Sequence, residues 1–301
     1  ARSQSNADAG DRANDANRVN GAEVRARVIG EGANLGLTQA GRIEFAANGG
    51  RINTDFIDNS AGVDCSDNEV NIKIPLNAEM ALERLSFDER NAVLTAMTED
   101  VATLVLEDNR LQTLALSIAE RGAAAALPTF VRITELLEAG GRFARTVEGI
   151  DNNEALLRRS REGSALTRPE LAVLLSHAKL ALQNAIEGAP LPDDAIFADD
   201  LHNAFPALMR RRFGAAIDAH RLRREIIATK LANRLVNRLG LAAPFTLAEE
   251  EGASLAQIAA GFAVVERLFD LGRLWRDIDQ AAIPEAARLT LFTRVSQACR
   301  L

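Results

Sequence analysis

Between residues 28 and 74 two short β-type runs each close in a glycine- and asparagine-rich turn, and about one helix lies between them. That order is how an α/β sheet presents backbone to a ligand at the carboxyl ends of its strands. Val24, Ala26 and Val28 alternate with Arg25, Arg27 and Ile29, predicting a strand that ends at Gly30. The turn then reads Gly30-Glu-Gly-Ala-Asn-Leu-Gly-Leu-Thr38. Thr38 is placed to cap a helix running through Phe45 to Asn48, which Gly49-Gly50 terminate. A second strand is expected over Ile52–Ile57, bounded by Asn59 and Gly62. A helix from Asp64 to Lys73 follows, acidic early and basic late as the helix dipole favours.

Beyond residue 78 the apolar period is helical throughout. Val93, Met97, Val101 and Leu104 form one stripe, and Leu171, Leu174, Leu175, Ala178, Leu182 and Ile186 a second. The second opens with Thr167, Pro169 and Glu170, the pattern of a capping box. Leu222, Ile226, Ile227, Leu231, Leu235 and Leu239 make a third, and Ile258, Phe262, Val265 and Phe269 a fourth. Breaks are expected at Gly140-Gly141, at Gly188–Asp194 and at Gly240–Pro244. Residues 1–22 read as a polar loop, and Leu301 follows an amphipathic run (Leu289, Phe292, Val295, Ser296) without a stop signal. With a first residue other than Met, this reads as an excised piece of a longer chain.

Composition narrows the function classes. A net charge of −7 argues against a nucleic-acid partner, which calls for a basic surplus. No apolar run in the sequence approaches a membrane span, so no membrane association is expected. Cys65 and Cys299 are too few and too far apart for a disulfide framework, which fits a reducing cytoplasm.

The glycine turn has two readings on spacing alone. Gly30, Gly32 and Gly36 serve a tight strand-to-helix turn, or they begin a dinucleotide phosphate loop with Asp55 as ribose acid. The phosphate fingerprint wants a third glycine where Leu35 stands, and Glu31 and Asn34 occupy positions that favour small residues. In the second turn Asn59, Asp64, Asp67 and Asn68 are either ordinary turn and cap residues or polar groups facing a ligand. Backbone N–H groups at a helix starting near Asp64 would favour an anion there.

The stretches Gly-Glu-Gly-Ala-Asn-Leu-Gly-Leu-Thr-Gln-Ala-Gly-Arg-Ile-Glu-Phe (30–45) and Gly-Gly-Arg-Ile-Asn-Thr-Asp-Phe-Ile-Asp-Asn-Ser-Ala-Gly-Val-Asp-Cys-Ser-Asp (49–67) resemble the end of the NAD-binding domain in the glutamate dehydrogenase superfamily. The likeness is to its very large bacterial NAD-specific members. It continues at Leu166–Leu174, Arg223–Lys230 and Phe269–Trp275, and departs at Pro75 and over Ala242–Leu247. It implies a mostly α protein: residues 1–78 as the partial α/β end of a Rossmann-type NAD-binding catalytic domain, then an all-helical C-terminal domain over 79–301.

In that family the phosphate loop lies upstream, so the resemblance removes Asp55 from the ribose. It implies NAD as cofactor, with Gly32, Asn34 and Asn59 on the cofactor side: Asn34 near the nicotinamide ribose and Asn59 near the nicotinamide. Val63 and Ser66 would face L-glutamate or 2-oxoglutarate, Ser66 bonding the distal carboxylate. The family's catalytic lysines and aspartate have no match in this chain, where no lysine precedes Lys73. No catalytic residue is therefore assigned, and the chain alone is expected to be inactive. The large helical portion implies assembly into a homo-oligomer.

His177, His202 and His220 lack ligand spacing, so no metal site is expected. Cys65 reads as a half-buried thiol at a turn. The basic run Arg221, Arg223, Arg224, Lys230, Arg234 and Arg238 reads as a solvated or intersubunit salt-bridge face. The rival reading is a non-catalytic helical interaction module whose glycine turns are structural only.

Overall fold

A computed structural model describes residues 18–299. It is mostly helical, as the periodicity predicts. By contacts the chain divides into two compact units: the described residues up to Ser60 with Ala119–Ser176, and Ala61–Ile118 with the described residues from His177 onward.

The first unit holds the two strands. β1 (Val28–Ile29) pairs in parallel with β2 (Arg51–Ile52), Val28 opposite Arg51 and Ile29 opposite Ile52. Both are shorter than the sequence predicts, and much of the expected strand Ile52–Ile57 is instead helical, α2 (Asp55–Asp58). The Asp55 carboxylate explains the switch: its Oδ1 accepts from the N–H of Phe56, a local side-chain bond that ends the extended run. α1 (Gln39–Ala47) crosses between the strands as expected, with the Thr38 hydroxyl accepting from the N–H of Gly41 at 3.1 Å. It stops at Gly49, whose φ of +87° only glycine adopts without strain. Gly50 is needed for another reason: a Cβ there would lie 2.3 Å from the Phe45 ring.

Two further helices of this unit, α6 (Arg145–Glu148) and α7 (Asn153–Arg161), follow the Gly140-Gly141 break. α8 (Arg168–Glu187) begins here, and Glu170 fixes its start. Its carboxylate accepts from the N–H and hydroxyl of Thr167, both at 2.7 Å, and from both terminal nitrogens of Arg159. The predicted capping box is thus half made, the threonine hydroxyl donating to Glu170. The stripe from Leu171 to Ile186 is wholly buried. Residues 1–17, most of the expected polar loop, and 300–301 lie outside the described residues; Gly21–Glu23 make a single 3-10 turn.

In the second unit α3 (Ser60–Ala81) starts earlier than the predicted Asp64, then come α4 (Phe87–Ala96) and the first half of α5 (Thr98–Ala139). The chain returns through α9 (Ala198–Asn203), α10 (Ala207–Arg212) and α11 (Gly214–Asp218) to α12 (Arg223–Leu239). α13 (Ala243–Glu251), α14 (Leu255–Leu268), α15 (Leu271–Gln280) and α16 (Glu285–Ala298) complete it. The stripe from Ile226 to Leu239 is buried as predicted. The fourth stripe holds only in part: Phe262 is buried beside Ala259 and Ala263, Ile258 and Val265 are half-buried, and Phe269 is exposed.

Two sequence readings are corrected here. Cys65 is exposed and sits inside α3, because the helix begins one turn before it. The expectation that no run approaches a membrane span also fails by length and composition, since α5 contains an 18-residue window with mean hydropathy 1.2. A third of that window is buried in the protein.

The basic run on α12 is only partly exposed and is paired with acids and rings of its own unit. Lys230 pairs with Asp108 at 2.7 Å, Arg234 with Asp200 and Glu266, and Arg224 with Asp193. Arg238 lies 4.9 Å from the Trp275 ring centroid and 5.5 Å from that of Phe292. An ordinary i, i+4 charge ladder becomes the cement between helices of one unit.

Candidate functional site

The loop from Gly30 to Leu37 carries β1 into α1, and carboxylates beneath it set its shape. The N–H of Glu31 donates to Asp58 Oδ2 at 2.9 Å, that of Leu35 to Asp55 Oδ2 at 2.8 Å, and that of Leu37 to Glu31 Oε1 at 3.1 Å. A phosphate loop turns such N–H groups toward its ligand. Here three of them are already satisfied by negative charge, so this turn is no anion cradle. The phosphate reading falls for that reason, and with it the ribose role of Asp55.

Two of those carboxylates, Glu31 and Asp55, are held by one arginine. Arg42 donates to Glu31 through Nε at 2.6 Å and a terminal nitrogen at 2.9 Å, and lies 3.2 Å from Asp55 Oδ1. Glu31, Arg42 and Asp55 are 4%, 5% and 8% exposed. Burial works against ionisation of Asp55, but the Leu35 N–H, the Arg42 guanidinium and the Phe56 N–H outweigh it and hold its carboxyl below the usual range. The network continues from Asp58 to Asn53 at 2.6 Å, and from Asn53 to Arg168 at 2.5 Å.

On top of the loop the structure brings two of the predicted cofactor residues together: Asn59 Nδ2 donates to Asn34 Oδ1 at 2.8 Å. Asn34 is exposed and Asn59 half-buried. The bond leaves the Asn34 amide N–H2 as a donor and the Asn59 amide oxygen as an acceptor, a combination that suits a carboxamide or a ribose hydroxyl. Gly32 is exposed in the same loop, with open space where a Cβ would stand. The residues present therefore fit the nicotinamide end of NAD and not its pyrophosphate.

Val63 and Ser66 lie one turn apart on an exposed face of α3. The Ser66 hydroxyl has only a weak bond back to the Gly62 carbonyl at 3.4 Å, so it is available to a ligand. Asp64 lies inside α3, where backbone N–H groups serve the helix, so the expected anion site at its N–H is not formed. Asn68 bonds back to Asp64 as an ordinary helical residue.

Glu31, Arg42, Asp58 and Asn53 were not singled out as functional from sequence. One signal was there for Arg42: it stands three residues before Phe45 on α1, on the face that the helix buries. A charged residue on an apolar face requires a buried partner.

Residues 1–119 match the family described as "Bacterial NAD-glutamate dehydrogenase, catalytic domain", and residues 163–300 match "Glutamate dehydrogenase, C-terminal". A Mycobacterium tuberculosis protein named NAD-specific glutamate dehydrogenase is 45% identical over 98% of this chain, and one of the same name from Pseudomonas aeruginosa is 44% identical over 96%. A third, from Halomonas elongata, is 42% identical over 92%. The chain spans about 18% of the length of the first two. With both of its matched segments falling in one family and its relatives agreeing along nearly all of it, the chain belongs to the bacterial NAD-glutamate dehydrogenases.

Proposed function

We propose that this chain is part of an NAD-dependent glutamate dehydrogenase and supplies the nicotinamide and substrate wall of its active site. The reaction is L-glutamate + NAD+ + water → 2-oxoglutarate + ammonium + NADH + H+. What carries the reading is the 44–45% identity, over nearly the whole chain, to proteins named for that activity. The amide pair of Asn34 and Asn59 supports it, because the donor and the acceptor it leaves match the nicotinamide carboxamide. NAD itself accepts the hydride; the chain's part is to orient the ring and hold the substrate against it.

In this reading Asn34 holds the nicotinamide ribose, Asn59 approaches the nicotinamide, and Gly32 leaves room for the cofactor. Val63 and Ser66 contact the substrate, with the Ser66 hydroxyl donating to the distal carboxylate of glutamate. Residues 1–78 are the end of a Rossmann-type catalytic domain and residues 79–301 a helical domain serving assembly of a homo-oligomer in the cytoplasm. In this reading α5 packs against protein rather than lipid, since a third of its apolar window is buried and the helix buries Leu116, Leu127, Phe130 and Ile133. The phosphate half of the cofactor site and the lysine that would stabilise developing negative charge come from elsewhere in the protein.

The test uses the protein as its full gene encodes it. Ser66→Ala is expected to raise KM for glutamate about tenfold, as expected for losing one hydrogen bond to a charged group, while KM for NAD stays near wild type. An unchanged KM for glutamate removes Ser66 from the substrate site.

A further inference from the structure

Asn34, the loop member of the Asn34–Asn59 pair, sits on a turn that pays for its shape in two ways. Leu35, next to Asn34, holds a left-handed φ of +60° although it is not glycine, and its side chain is 85% exposed, so packing does not compensate. Beneath it, Glu31, Arg42 and Asp55 are removed from water, an arrangement that apolar side chains of similar volume often replace without loss of stability. A strained backbone and a buried charge cluster meet at one hydrogen bond, Leu35 N–H to Asp55 Oδ2 at 2.8 Å. The other oxygen of Asp55 faces Arg42 and the N–H of Phe56, so the carboxylate cannot turn away without leaving a donor unmet.

We propose that Asp55, braced by Arg42 and Glu31, is the positioning residue for the cofactor-facing Asn34: by holding Leu35 left-handed it fixes the Asn34 amide against Asn59. This rests on the assignment of Asn34 to the nicotinamide side of NAD. The cluster replaces the anion-binding role of a glycine turn with a different one, in which the backbone N–H groups point inward and a side chain is presented outward. Strain held by over-determined surroundings is typical of ligand-contacting backbone.

In the protein encoded by the full gene, Asp55→Ala is expected to weaken NADH binding about tenfold, measured by fluorescence titration, and to raise KM for NAD but not for glutamate. Hydrogen exchange at the Leu35 amide is expected to accelerate. Adding Leu35→Gly, which adopts the same φ without strain, is expected to recover most of the lost affinity. An Asp55→Ala protein that melts earlier but binds NADH normally overturns the proposal, as does a failure of Leu35→Gly to rescue.

Should Asp55→Ala not fold, two variants at the exposed Leu35 decide the matter. Leu35→Val disfavours the left-handed conformation and is expected to weaken NADH binding, whereas Leu35→Asn tolerates it and is expected to bind as wild type. Equal effects of the two overturn the proposal, because the side chain and not the backbone would then matter. Asn34→Ala separates this from the functional reading. If it leaves NADH affinity unchanged, the cofactor assignment of Asn34 falls and the positioning role with it; if it weakens binding while Asp55→Ala and Leu35→Val do not, only the positioning role falls.

Discussion

The imidazole of His220 donates from Nε2 to the backbone carbonyl of Asn71 at 3.1 Å, and that carbonyl is the one Pro75 leaves without its helical partner. In an α-helix the carbonyl of residue 71 takes the N–H of residue 75, which proline lacks. His220 therefore repairs α3 from outside the helix. Its Nδ1 accepts the N–H of Leu222 at 3.0 Å, so both ring nitrogens are committed and the neutral Nε2–H tautomer is specified.

The repair predicts a coupling between positions far apart in sequence. His220→Ala is expected to destabilise the protein by about 1–3 kcal/mol, as for a polar group left unsatisfied. In a Pro75→Ala background, where the helix again supplies an N–H, most of that loss is expected to vanish. Urea unfolding of the four proteins of this cycle measures it, and equal losses in the two backgrounds would disprove the repair.

Burial, reinforced by Arg221, pushes the His220 imidazole below its ordinary value, against the opposing pull of the Asn71 carbonyl and Glu225. At pH near 6 the folded state then binds fewer protons here than the unfolded chain. Its contribution to stability is present above the unfolded value of 6.5 and is lost as pH falls through the folded value. His220→Ala is expected to shrink the acid-side loss of melting temperature between pH 7 and 5.

Lys179 predicts a slope of the same sign on the alkaline side. Burial pushes its amine down to about 7, with Asp108 opposing, and its Nζ donates to Gln112 at 2.9 Å. Between about 7 and 10.5 the unfolded chain binds the extra proton, so stability from this group rises with pH, by up to about 1.4 kcal/mol per pH unit. The chain contains no tyrosine and its other lysines are Lys73 and Lys230, so few groups obscure the effect. Lys179→Met is expected to raise the melting temperature at pH 7 and to flatten its alkaline rise; an unaltered slope would rule out the depressed amine.

Arg42→Met leaves the Glu31 and Asp55 carboxylates facing each other with no cation between them. The expected loss is about 3 kcal/mol, low in the range for breaking a buried ion pair because the cluster lies just beneath an exposed loop. Arg42→Lys is expected to recover little, since one ammonium cannot reproduce both the two-point contact with Glu31 and the reach to Asp55. Chemical unfolding checks both variants.

Much of the fold was legible because it is local. The stripes from Leu171 to Ile186 and Ile226 to Leu239, the Thr38 cap and the breaks at Gly140, Gly188 and Gly240 all follow from period, cap chemistry and glycine. Where reading failed, a side chain had overridden propensity. Asp55 turned an apparent strand into α2, and Ser60 rather than Asp64 opened α3. The basic run of α12 looked solvated because its partners Asp108, Asp200, Glu266 and Asp279 are distant in sequence.

By itself the sequence determined the helical character of the chain, the strand–helix–strand opening and the motifs that place it in its family, since all of these depend on neighbours a few residues apart. Only the tertiary structure decided what the glycine turn is for. Its N–H groups point at Asp58, Asp55 and Glu31, six to 27 positions away, and spacing cannot say whether a backbone donor faces a ligand or the protein's own carboxylate. Likewise Pro75 became tolerable only through His220, 149 residues distant from the carbonyl that it serves. A hydrogen bond needs two partners in contact, and the chain brings such partners together only when it folds.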